Sequence, residues 1–492
     1  MSSQHSATPA PRALSARSRW SFGLGSLAYG VKDSGFATFL LIYYNQVVGL
    51  PAASVGIAIM CALVIEAFAD PLVGTLSDRT RSRWGRRHPW MYASALPVAL
   101  GWVLLFNPPE MGEGATLVYL FSAALLVRIA LSMFEIPSVA LGPELSSDYD
   151  ERTRLFSYRY LFGWGAGLLM LFLAYGVFLV PSPEYPNGLT NADGYTAFAL
   201  TGAAIMFVAI IVSSIGLHHE IPRLPKADAN VAGLRQHFGE FAESIRNKAF
   251  LVLMAAGLFA YTAQGISFAL SNYMYPFVWR FSGGTLQLVP VVLFIAAIIA
   301  FFGAPMLARR GDKPRVAMRL MVANGVFAAA PYLLRLAGIL PEPGTTGQVA
   351  ILFVFFIVNT ACGIGAFIVG ASMMADVVED SETRTGRRSE GVFFAGSFFV
   401  QKLVGGLGIG MAGLILWFAG FPDAAKPGEV GEATIDRLTI VFMALHFSTT
   451  IAAAICYRFF PFGRAEHEER LARVLRAEVE AVAPSPLSGP PA

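Results

Sequence analysis

The chain of 492 residues is 55% hydrophobic and only 14% charged, whereas soluble domains carry about 25% charged residues. Its formal net charge of +3 is too small to indicate a polyanionic partner. These values exclude a disordered chain, a nucleic-acid-binding protein and an ordinary cytosolic enzyme as first interpretations.

Apolar runs of membrane-spanning length follow one another along the chain. A helix that crosses a bilayer needs about 20 mostly apolar residues, and twelve runs of roughly this kind occur. The sequence therefore predicts an all-α membrane protein embedded in a lipid bilayer. The predicted spans are 20–48, 54–77, 89–106, 116–141, 158–180, 195–217, 249–281, 286–308, 316–338, 349–376, 391–420 and 438–460.

The distribution of Lys and Arg predicts the topology, because cytoplasmic loops retain these residues. They cluster in the connections after the second, fourth, eighth and tenth spans, whereas the loops 107–115, 181–194 and 339–347 contain neither. We therefore expect cytoplasmic tails at 1–19 and 461–492. A bacterial inner membrane is the expected location.

The connection 218–248 separates six spans from six, which predicts a central cytoplasmic loop between an N-terminal bundle, 20–217, and a C-terminal bundle, 249–460. A weak internal repeat supports this division. Gly, Asp and Arg recur in the connection after the second span and in the equivalent connection after the eighth. Two six-helix halves related by parallel repetition are typical of the major facilitator fold. The alternative is that any cytoplasmic loop collects Arg near Gly and Asp.

The connection after the second span is also predicted to form a conformational gate. Its charged residues stand at the membrane edge, where ion pairs and helix-end contacts can brace helices in one conformation. In the alternative interpretation, these charges only fix the orientation of the chain. The predicted gate residues are Asp78, Arg79, Gly85, Arg86 and Arg87.

Ionisable residues inside the apolar spans indicate where the chemistry lies. Each costs about 2.5–3.5 kcal/mol at a helix centre on insertion scales, so each needs a reason to be there. These residues are Lys32, Asp33, Glu66, Asp70, Arg128, Glu135, Arg159 and Lys402.

Glu66 and Asp70 are four residues apart and share one helix face. Two carboxylates this close cannot both ionise cheaply in a dry environment, so the pair is suited to hold a cation or a proton. The alternative is a structural role as the partner of Lys32, Arg128 or Lys402. Both roles are compatible, because a site that exchanges a salt bridge for a proton can couple charge to conformation.

A second group of ionisable residues is suited to orient a polar ligand in a central cavity. Lys32, Asp33 and Lys402 supply both donors and acceptors, which sugar hydroxyls require, and Glu135 and Arg159 are expected close to the cavity wall. The substrate predicted from these side chains is a small molecule, most simply a sugar.

No catalytic constellation is found in the sequence. Gly408-x-Gly410-x-x-Gly413 matches a dinucleotide-binding pattern, but it lies in an apolar span without a preceding strand, so we attribute it to close helix packing. We expect neither enzymatic activity nor a cofactor or metal site.

Several segments resemble the glycoside-pentoside-hexuronide:cation symporter family. The longest runs from Asp70-Pro-Leu-Val-Gly74 through Ser77-Asp-Arg-Thr-Arg-Ser-Arg-Trp-Gly-Arg-Arg-His-Pro-Trp90. Others are 30–33, 135–137, 374–378, 388–391 and 401–402. The resemblance covers nearly all twelve spans, and its block between the second and third spans is highly specific.

The resemblance implies a role for each matching position. The implied substrate-binding residues are Lys32, Asp33, Glu135, Arg159 and Lys402, together with Phe367, which stands where the family has a Trp. The implied cation-coupling or proton-coupling residues are Glu66 and Asp70, together with Ser132, which replaces a Thr beside the cation site.

This chain also departs from the family pattern. Ala69 stands where an Asn helps to bind sodium, which favours a proton as the coupling ion and leaves sodium as the alternative. Val139, Leu131 and Phe367 replace larger aromatic residues of the sugar pocket. These changes argue against a galactoside and leave a glycoside, pentoside or uronide.

The predicted function is cation-coupled symport of a sugar or glycoside by alternating access, carried out by a monomer. One alternative is a transporter of an amphiphile such as a lysophospholipid, which the aliphatic replacements would suit. The other is a membrane sensor that binds a sugar without moving it.

Overall fold

The computed structural model describes residues 14–146, 148–185, 187–224, 247–385, 390–426, 428–461 and 463. Within these ranges the regular structure is helical, with twelve long helices. They are α1 (16–47), α2 (Ala52–Arg79), α3 (His88–Leu105), α4 (Glu113–Leu145), α5 (Tyr149–Leu173), α6 (Ala192–His218), α7 (Lys248–Tyr273), α8 (Gly283–Arg310), α9 (Lys313–Leu336), α10 (Thr346–Thr385), α11 (Glu390–Ala419) and α12 (Glu432–Arg458).

Short π-helical segments interrupt or extend three of these helices. In α1 they are Gly35–Phe39 and Tyr43–Val47, whereas α5 continues as Ala174–Phe178 and α7 as Met274–Val278. Such segments re-aim side chains and are frequent at functional sites. All three helices lie where the two halves of the chain meet, as described below.

The twelve predicted helices are confirmed, but several extend beyond the predicted spans. The helix α10 reaches Thr385 instead of residue 376, and α5 begins at Tyr149 instead of residue 158. Asp148 caps α5 by accepting a hydrogen bond from the Glu151 backbone N–H at 2.8 Å. Hydropathy cannot detect these polar turns, because a helix can continue past the bilayer. Arg152 and Arg154, expected in a loop, therefore lie in α5.

The chain is a multi-pass integral membrane protein. Ten of the described helices are long and apolar enough to cross a membrane. Large apolar side chains also point away from the bundle, such as Phe302 at 70% and Trp417 at 69% exposure. A soluble monomer would not leave so many large side chains in water.

Glycines allow close approach between helices at several places. A Cβ on Gly408 would lie 2.7 Å from the Gly265 Cα of α7, and one on Gly413 would lie 2.4 Å from the Ala52 carbonyl oxygen of α2. Neither contact leaves room for a side chain. The Gly-x-Gly-x-x-Gly pattern of α11 therefore serves helix packing within the C-terminal half and against the N-terminal half.

The two ends of the bundle differ, and we name them by their residues. The Arg-rich face contains 79–87 and 309–315, and the opposite face contains 48–51, 106–112 and 420–431. At the opposite face polar side chains join the halves. Tyr273 Oη donates to Asn45 Oδ1 at 2.9 Å, Asn45 Nδ2 donates to Asp423 Oδ1 at 2.6 Å, and the Ala425 N–H donates to Gln46 Oε1 at 2.7 Å. The halves are thus in contact at this face.

Candidate substrate and cation site

The two carboxylates of α2 belong to one ion-pair network. Arg128 Nη1 of α4 donates to Glu66 Oε2 at 2.7 Å. Lys402 Nζ of α11 donates to Asp70 Oδ2 at 2.6 Å and lies 3.4 Å from Glu66 Oε1. We call these four residues the central network. It contains two positive and two negative charges, and Lys402 alone belongs to the C-terminal half.

The central network lies largely out of water. Glu66 is buried, and the side chains of Asp70 and Lys402 are 13% and 20% exposed. Asp70 Oδ1 is buried without a hydrogen-bond partner. Of the three cationic partners considered from the sequence, Arg128 and Lys402 contact the carboxylates. Lys32 does not, since no carboxylate of the described residues lies within 4.0 Å of its ammonium.

Lys32 and Asp33 have different surroundings although they are neighbours in α1. Lys32 is buried, and its ammonium lies 4.7 Å from the centre of the Tyr29 ring, within the range of a cation–π contact. Asp33 is exposed. The Lys32 ammonium contacts the face of the Tyr29 ring, which accepts no conventional hydrogen bond. The N–H groups of Lys32 are therefore available to a ligand.

A second polar group lies between α4 and α5. Arg159 Nη1 donates to Ser138 Oγ at 2.8 Å, and its guanidinium lies 5.2 Å from the Phe22 ring. Glu135 interacts electrostatically with Arg159, and its Oε2 atom is buried without a hydrogen-bond partner. The Ser132 hydroxyl is also buried and unpartnered. The helix α4 therefore carries two polar atoms, Glu135 Oε2 and Ser132 Oγ, that are available to a ligand or a cation.

Phe367 lies apart from these charges, on α10 of the C-terminal half. Its ring stacks on Tyr261 of α7, with centroids 4.9 Å apart and planes 16° apart. The sequence did not single out Tyr261, because an aromatic residue in an apolar helix carries no distinguishing pattern. Stacked rings of this kind can present an apolar face to a sugar.

The predicted gate residues only partly come together. Asp78 Oδ1 lies 3.1 Å from Arg87 Nη2 and 3.7 Å from Arg86 Nη1. Both arginines also donate to Glu144 of α4, which the sequence interpretation missed. We call these four residues the α2–α4 brace. All of them belong to the N-terminal half, so the brace joins helices of one half.

The other two predicted gate residues, Arg79 and Gly85, take no part in the α2–α4 brace. Arg79 is exposed, and no salt bridge involves it within the described ranges. Gly85 has a φ of +74°, a backbone conformation that favours glycine. In the second half, Lys313 Nζ lies 2.7 Å from Asp376 Oδ1, joining the start of α9 to the C-terminal third of α10. This pair repeats the position of the α2–α4 brace.

Outside the membrane spans, Glu220 ties the beginning of α1 to the end of α6. Ser18 Oγ donates to Glu220 Oε1 at 2.7 Å, and Arg223 Nη1 donates to Oε2 at 3.0 Å. Burial alone would raise the pKa of Glu220, but the Ser18 hydrogen bond and the neighbouring His219 and Arg223 lower it below its ordinary value. The carboxylate is therefore ionised at neutral pH.

A twelve-helix membrane bundle with paired charges between its halves defines the class of this protein, a membrane transporter of the major facilitator fold. The crystal structure of D-xylose–proton symporter is similar, with a TM-score of 0.63 at 12% identity over 90% of this chain and 97% of that chain. The chain belongs to the MFS/sugar transport protein family, whose model matches residues 21–464. The resemblance to cation symporters and the expectation that the protein is not an enzyme are thereby confirmed.

Three relatives span most of this chain. The inner membrane symporter YicJ of Escherichia coli is 24% identical and is covered, like this chain, over 90% of its length. The isoprimeverose transporter of Lactiplantibacillus pentosus is 26% identical, over 82% of this chain and 80% of the relative. The sodium-dependent lysophosphatidylcholine symporter 1-A of Danio rerio is 24% identical, over 95% of this chain and 90% of the relative.

Proposed function

We propose that the protein is a secondary active transporter that couples the movement of a sugar or glycoside to that of a cation by symport, with a proton favoured over sodium. The observation that carries the proposal is the central network, in which Lys402 of one half bridges Glu66 and Asp70 of the other. A charge bridge between two halves is well placed to link ion binding to their relative movement. Substrate would bind beside it at Lys32, Asp33, Glu135 and Arg159.

The proposed coupling follows from the charge balance of the central network. A proton taken up by Asp70 removes the negative charge that holds Lys402 at 2.6 Å. The network then carries one net positive charge, and the hold of Lys402 on the N-terminal half weakens. Binding of the substrate to the protonated state must, by linkage, strengthen proton binding by the same factor. The halves can then rock around a site near the bilayer midplane.

The surroundings of the carboxylates favour a proton. A sodium ion would have to displace the Lys402 ammonium and collect several oxygen ligands, and Ala69 supplies no side-chain oxygen. A proton needs only one carboxylate oxygen, and Asp70 Oδ1 has no hydrogen-bond partner. Sodium remains the alternative, since the Ser132 hydroxyl is also unpartnered.

The topology belongs to the same proposal. The Arg-rich face is cytoplasmic, both termini lie on that side, and the membrane is a bacterial inner membrane, in keeping with the relative YicJ. The proposed division is an N-terminal bundle at 20–217 and a C-terminal bundle at 249–460. Under this topology the opposite face, where the halves are joined in the described conformation, is periplasmic. In this proposal, Phe367 and its stacking partner Tyr261 form part of the substrate cavity wall on the side of the C-terminal half.

Substrate-induced alkalinisation tests the proposal. Lightly buffered cells that express the protein receive glycosides, pentoses and uronides, with and without sodium. We expect an alkaline shift for at least one sugar in wild type and none in Asp70→Asn. Asp193→Asn, which removes an exposed carboxylate at the start of α6, serves as the matched control and should retain the shift. Retention of cation-driven accumulation by Asp70→Asn would refute the coupling role.

A second candidate function is transport of an amphiphile, which the lysophosphatidylcholine relative supports. The pocket side chains offer mixed support. Val139 is partly exposed and could contact an acyl chain, whereas Leu131 is buried in the helix core at 1% exposure. Competition between lysophosphatidylcholine and the sugar panel for binding to purified protein separates the two functions. If lysophosphatidylcholine binds and no sugar of the panel competes with it, the amphiphile is favoured as the substrate.

A further inference from the structure

An apolar groove of about 430 Å³ lies on the surface of the N-terminal half, between α1 and α6. Leu24 and Leu27 of α1 form one wall, and five aliphatic residues between Ala204 and Val212 of α6 form the other. Ile215, one turn beyond Val212, is 52% exposed, as expected of a surface in contact with lipid. The groove therefore faces the acyl chains of the bilayer.

The groove is about as long as an acyl chain in one leaflet. From Ala204 to Val212, α6 rises about 12 Å, and one leaflet of the hydrocarbon core is about 15 Å thick. The helix ends at His218, whose ring lies 6.4 Å from that of Trp84 on the Arg-rich face. The groove therefore lies in the half of the membrane next to the Arg-rich face.

The α1 wall continues to a cationic side chain at the same face. Four residues at spacings of three, four and three share one side of α1: Arg17, Trp20, Leu24 and Leu27. Arg17 is exposed and stands about 10 Å along the helix from Leu24. Trp20, between them, is 50% exposed, and Trp is enriched where acyl chains meet head groups. Groove, ring and cation follow one another in the order in which a phospholipid presents its parts.

The α6 wall ends in the same way. His219 follows Val212 by seven residues and lies on the same side of the helix, about 10 Å farther along. Its side chain is 41% exposed, and that of Arg223 is 61% exposed. Ser18 of α1 donates to Glu220 Oε1 at 2.7 Å, and Arg223 donates to Glu220 Oε2 at 3.0 Å. The cationic ends of both walls therefore meet at one contact between α1 and α6.

The ionised side chains at this contact leave an excess of positive charge. Arg19 pairs with Glu151 at 2.5 Å and Arg223 with Glu220 at 3.0 Å, so these four groups are neutral together. Arg17 has no salt bridge within the described part of the chain. Arg223 donates to Glu220 through Nη1, and its other N–H groups can bind phosphate oxygens. The contact therefore suits a ligand with phosphate oxygens and a net negative charge.

We propose that the groove between α1 and α6 binds an anionic glycerophospholipid of the phosphatidylglycerol type. One acyl chain lies in the groove, and the phosphate binds between Arg17 and Arg223. A zwitterionic lipid fits less well, because its own ammonium would meet the excess positive charge. Under the proposed topology this lipid belongs to the cytoplasmic leaflet, where basic residues between helices bind anionic head groups. The site is independent of the transported substrate.

Native mass spectrometry of the delipidated full-length protein in detergent tests the site. Phosphatidylglycerol and phosphatidylethanolamine with the same acyl chains are titrated separately. The head-group variant is Arg17→Ala/Arg223→Ala. Its matched control is Arg310→Ala/Arg315→Ala, which removes two exposed arginines from the same face in the C-terminal half. Arg315 lies 3.5 Å from Asp312 of its own helix end, as Arg223 lies beside Glu220.

A second pair of variants tests the groove itself. Ala204→Trp places a large ring in the groove, whereas Leu200→Trp places it one turn earlier on α6, at a position that is 55% exposed and outside the groove wall. Size-exclusion chromatography verifies that each variant is folded. Arg17→Ala alone is also measured, because it leaves the contacts of Glu220 with Ser18 and Arg223 intact.

We expect wild type to bind phosphatidylglycerol more tightly than phosphatidylethanolamine. Each arginine near an anionic head group contributes about a fivefold gain in affinity, so Arg17→Ala should weaken phosphatidylglycerol binding about fivefold and the double variant about 30-fold. Ala204→Trp should lose the bound lipid at concentrations that saturate wild type. Arg310→Ala/Arg315→Ala and Leu200→Trp should behave as wild type.

Four results would overturn the site. Equal losses in the two double arginine variants would mean that only the overall surface charge attracts the lipid. Unchanged binding in Ala204→Trp, or equal losses in Ala204→Trp and Leu200→Trp, would show that the groove holds no acyl chain. Equal affinity of wild type for both lipids would contradict the preference for an anionic head group. Absence of any bound phosphatidylglycerol would refute the proposal outright.

Discussion

The variant Asp70→Asn should shift the equilibrium between the two conformations of the halves. In the described conformation, Asp70 pairs with Lys402 at 2.6 Å, and both side chains are largely buried. Removing one partner of a buried ion pair costs about 3–5 kcal/mol. Here Glu66 remains 3.4 Å from the ammonium, and the Asn oxygen can still accept a hydrogen bond. We therefore expect the described conformation to lose about 2 kcal/mol of stability relative to the conformation in which the opposite face is open. This corresponds to roughly a 30-fold rise in the ratio of open to closed molecules.

Spin-label distances measure this ratio. Glu113, at the start of α4, and Thr346, at the start of α10, are exposed at the opposite face, one in each half. Labels there should report a second, longer distance in Asp70→Asn.

The control for this experiment breaks an ion pair inside one half. Asp436→Asn removes the partner of Arg335 Nη1, which lies 2.6 Å away within the C-terminal half. This variant should leave the distance distribution as in wild type. An unchanged distribution in Asp70→Asn, or equal shifts in both variants, would refute the view that Lys402 joins the halves through Asp70.

Three further predictions concern stability, measured as thermal unfolding of purified protein in detergent. Arg128→Met leaves the buried Glu66 without its 2.7 Å partner and should cost about 3–5 kcal/mol, with recovery in the double variant with Glu66→Gln; a single variant as stable as wild type would contradict this. Glu144→Gln should cost about 1.5–3 kcal/mol, because two arginines lose a charged acceptor, whereas Arg79→Ala should change little; equal losses would contradict the α2–α4 brace. The pKa of Glu220 is lowered in the folded protein, so its carboxylate stabilises the fold fully at a pH above the ordinary pKa of 4.5. This stabilisation is lost as the pH falls further. The difference in Tm between wild type and Glu220→Gln should therefore shrink with acidification, and a difference independent of pH would contradict it.

The helices could be predicted from the sequence because bilayer thickness sets their length and hydropathy marks it. The ends of the helices could not be predicted. The helix α10, for example, continues to Thr385 through charged turns that hydropathy assigns to a loop. The π-helical segments of α1 were also missed. They depend on packing against neighbouring helices, and the residues Gly35–Phe39 carry no local pattern that distinguishes them from α-helix.

The charged residues of the site could be found from the sequence, because each stands out in an apolar span. Their partners could not all be found, since pairing across helices depends on how each helix is rotated. Glu144 lies beyond the predicted span 116–141, yet α4 continues through it and brings it to Arg86 and Arg87. A cavity of about 130 Å³ is lined by Ser267 of α7 and Thr360 of α10, and it was missed for a related reason. Isolated hydroxyls in apolar helices are common, and only the packed structure places them together.

The most direct test of the central claim is the charge moved when the protein transports a neutral sugar. Proteoliposomes on a solid-supported membrane receive a panel of neutral glycosides and pentoses in sodium-free buffer. For at least one sugar we predict a transient current of positive charge in the direction of the sugar. The current should be absent in Asp70→Asn and preserved in Asp193→Asn. A sugar that is transported without any current, in sodium-free and sodium-containing buffer alike, would contradict cation coupling at the central network.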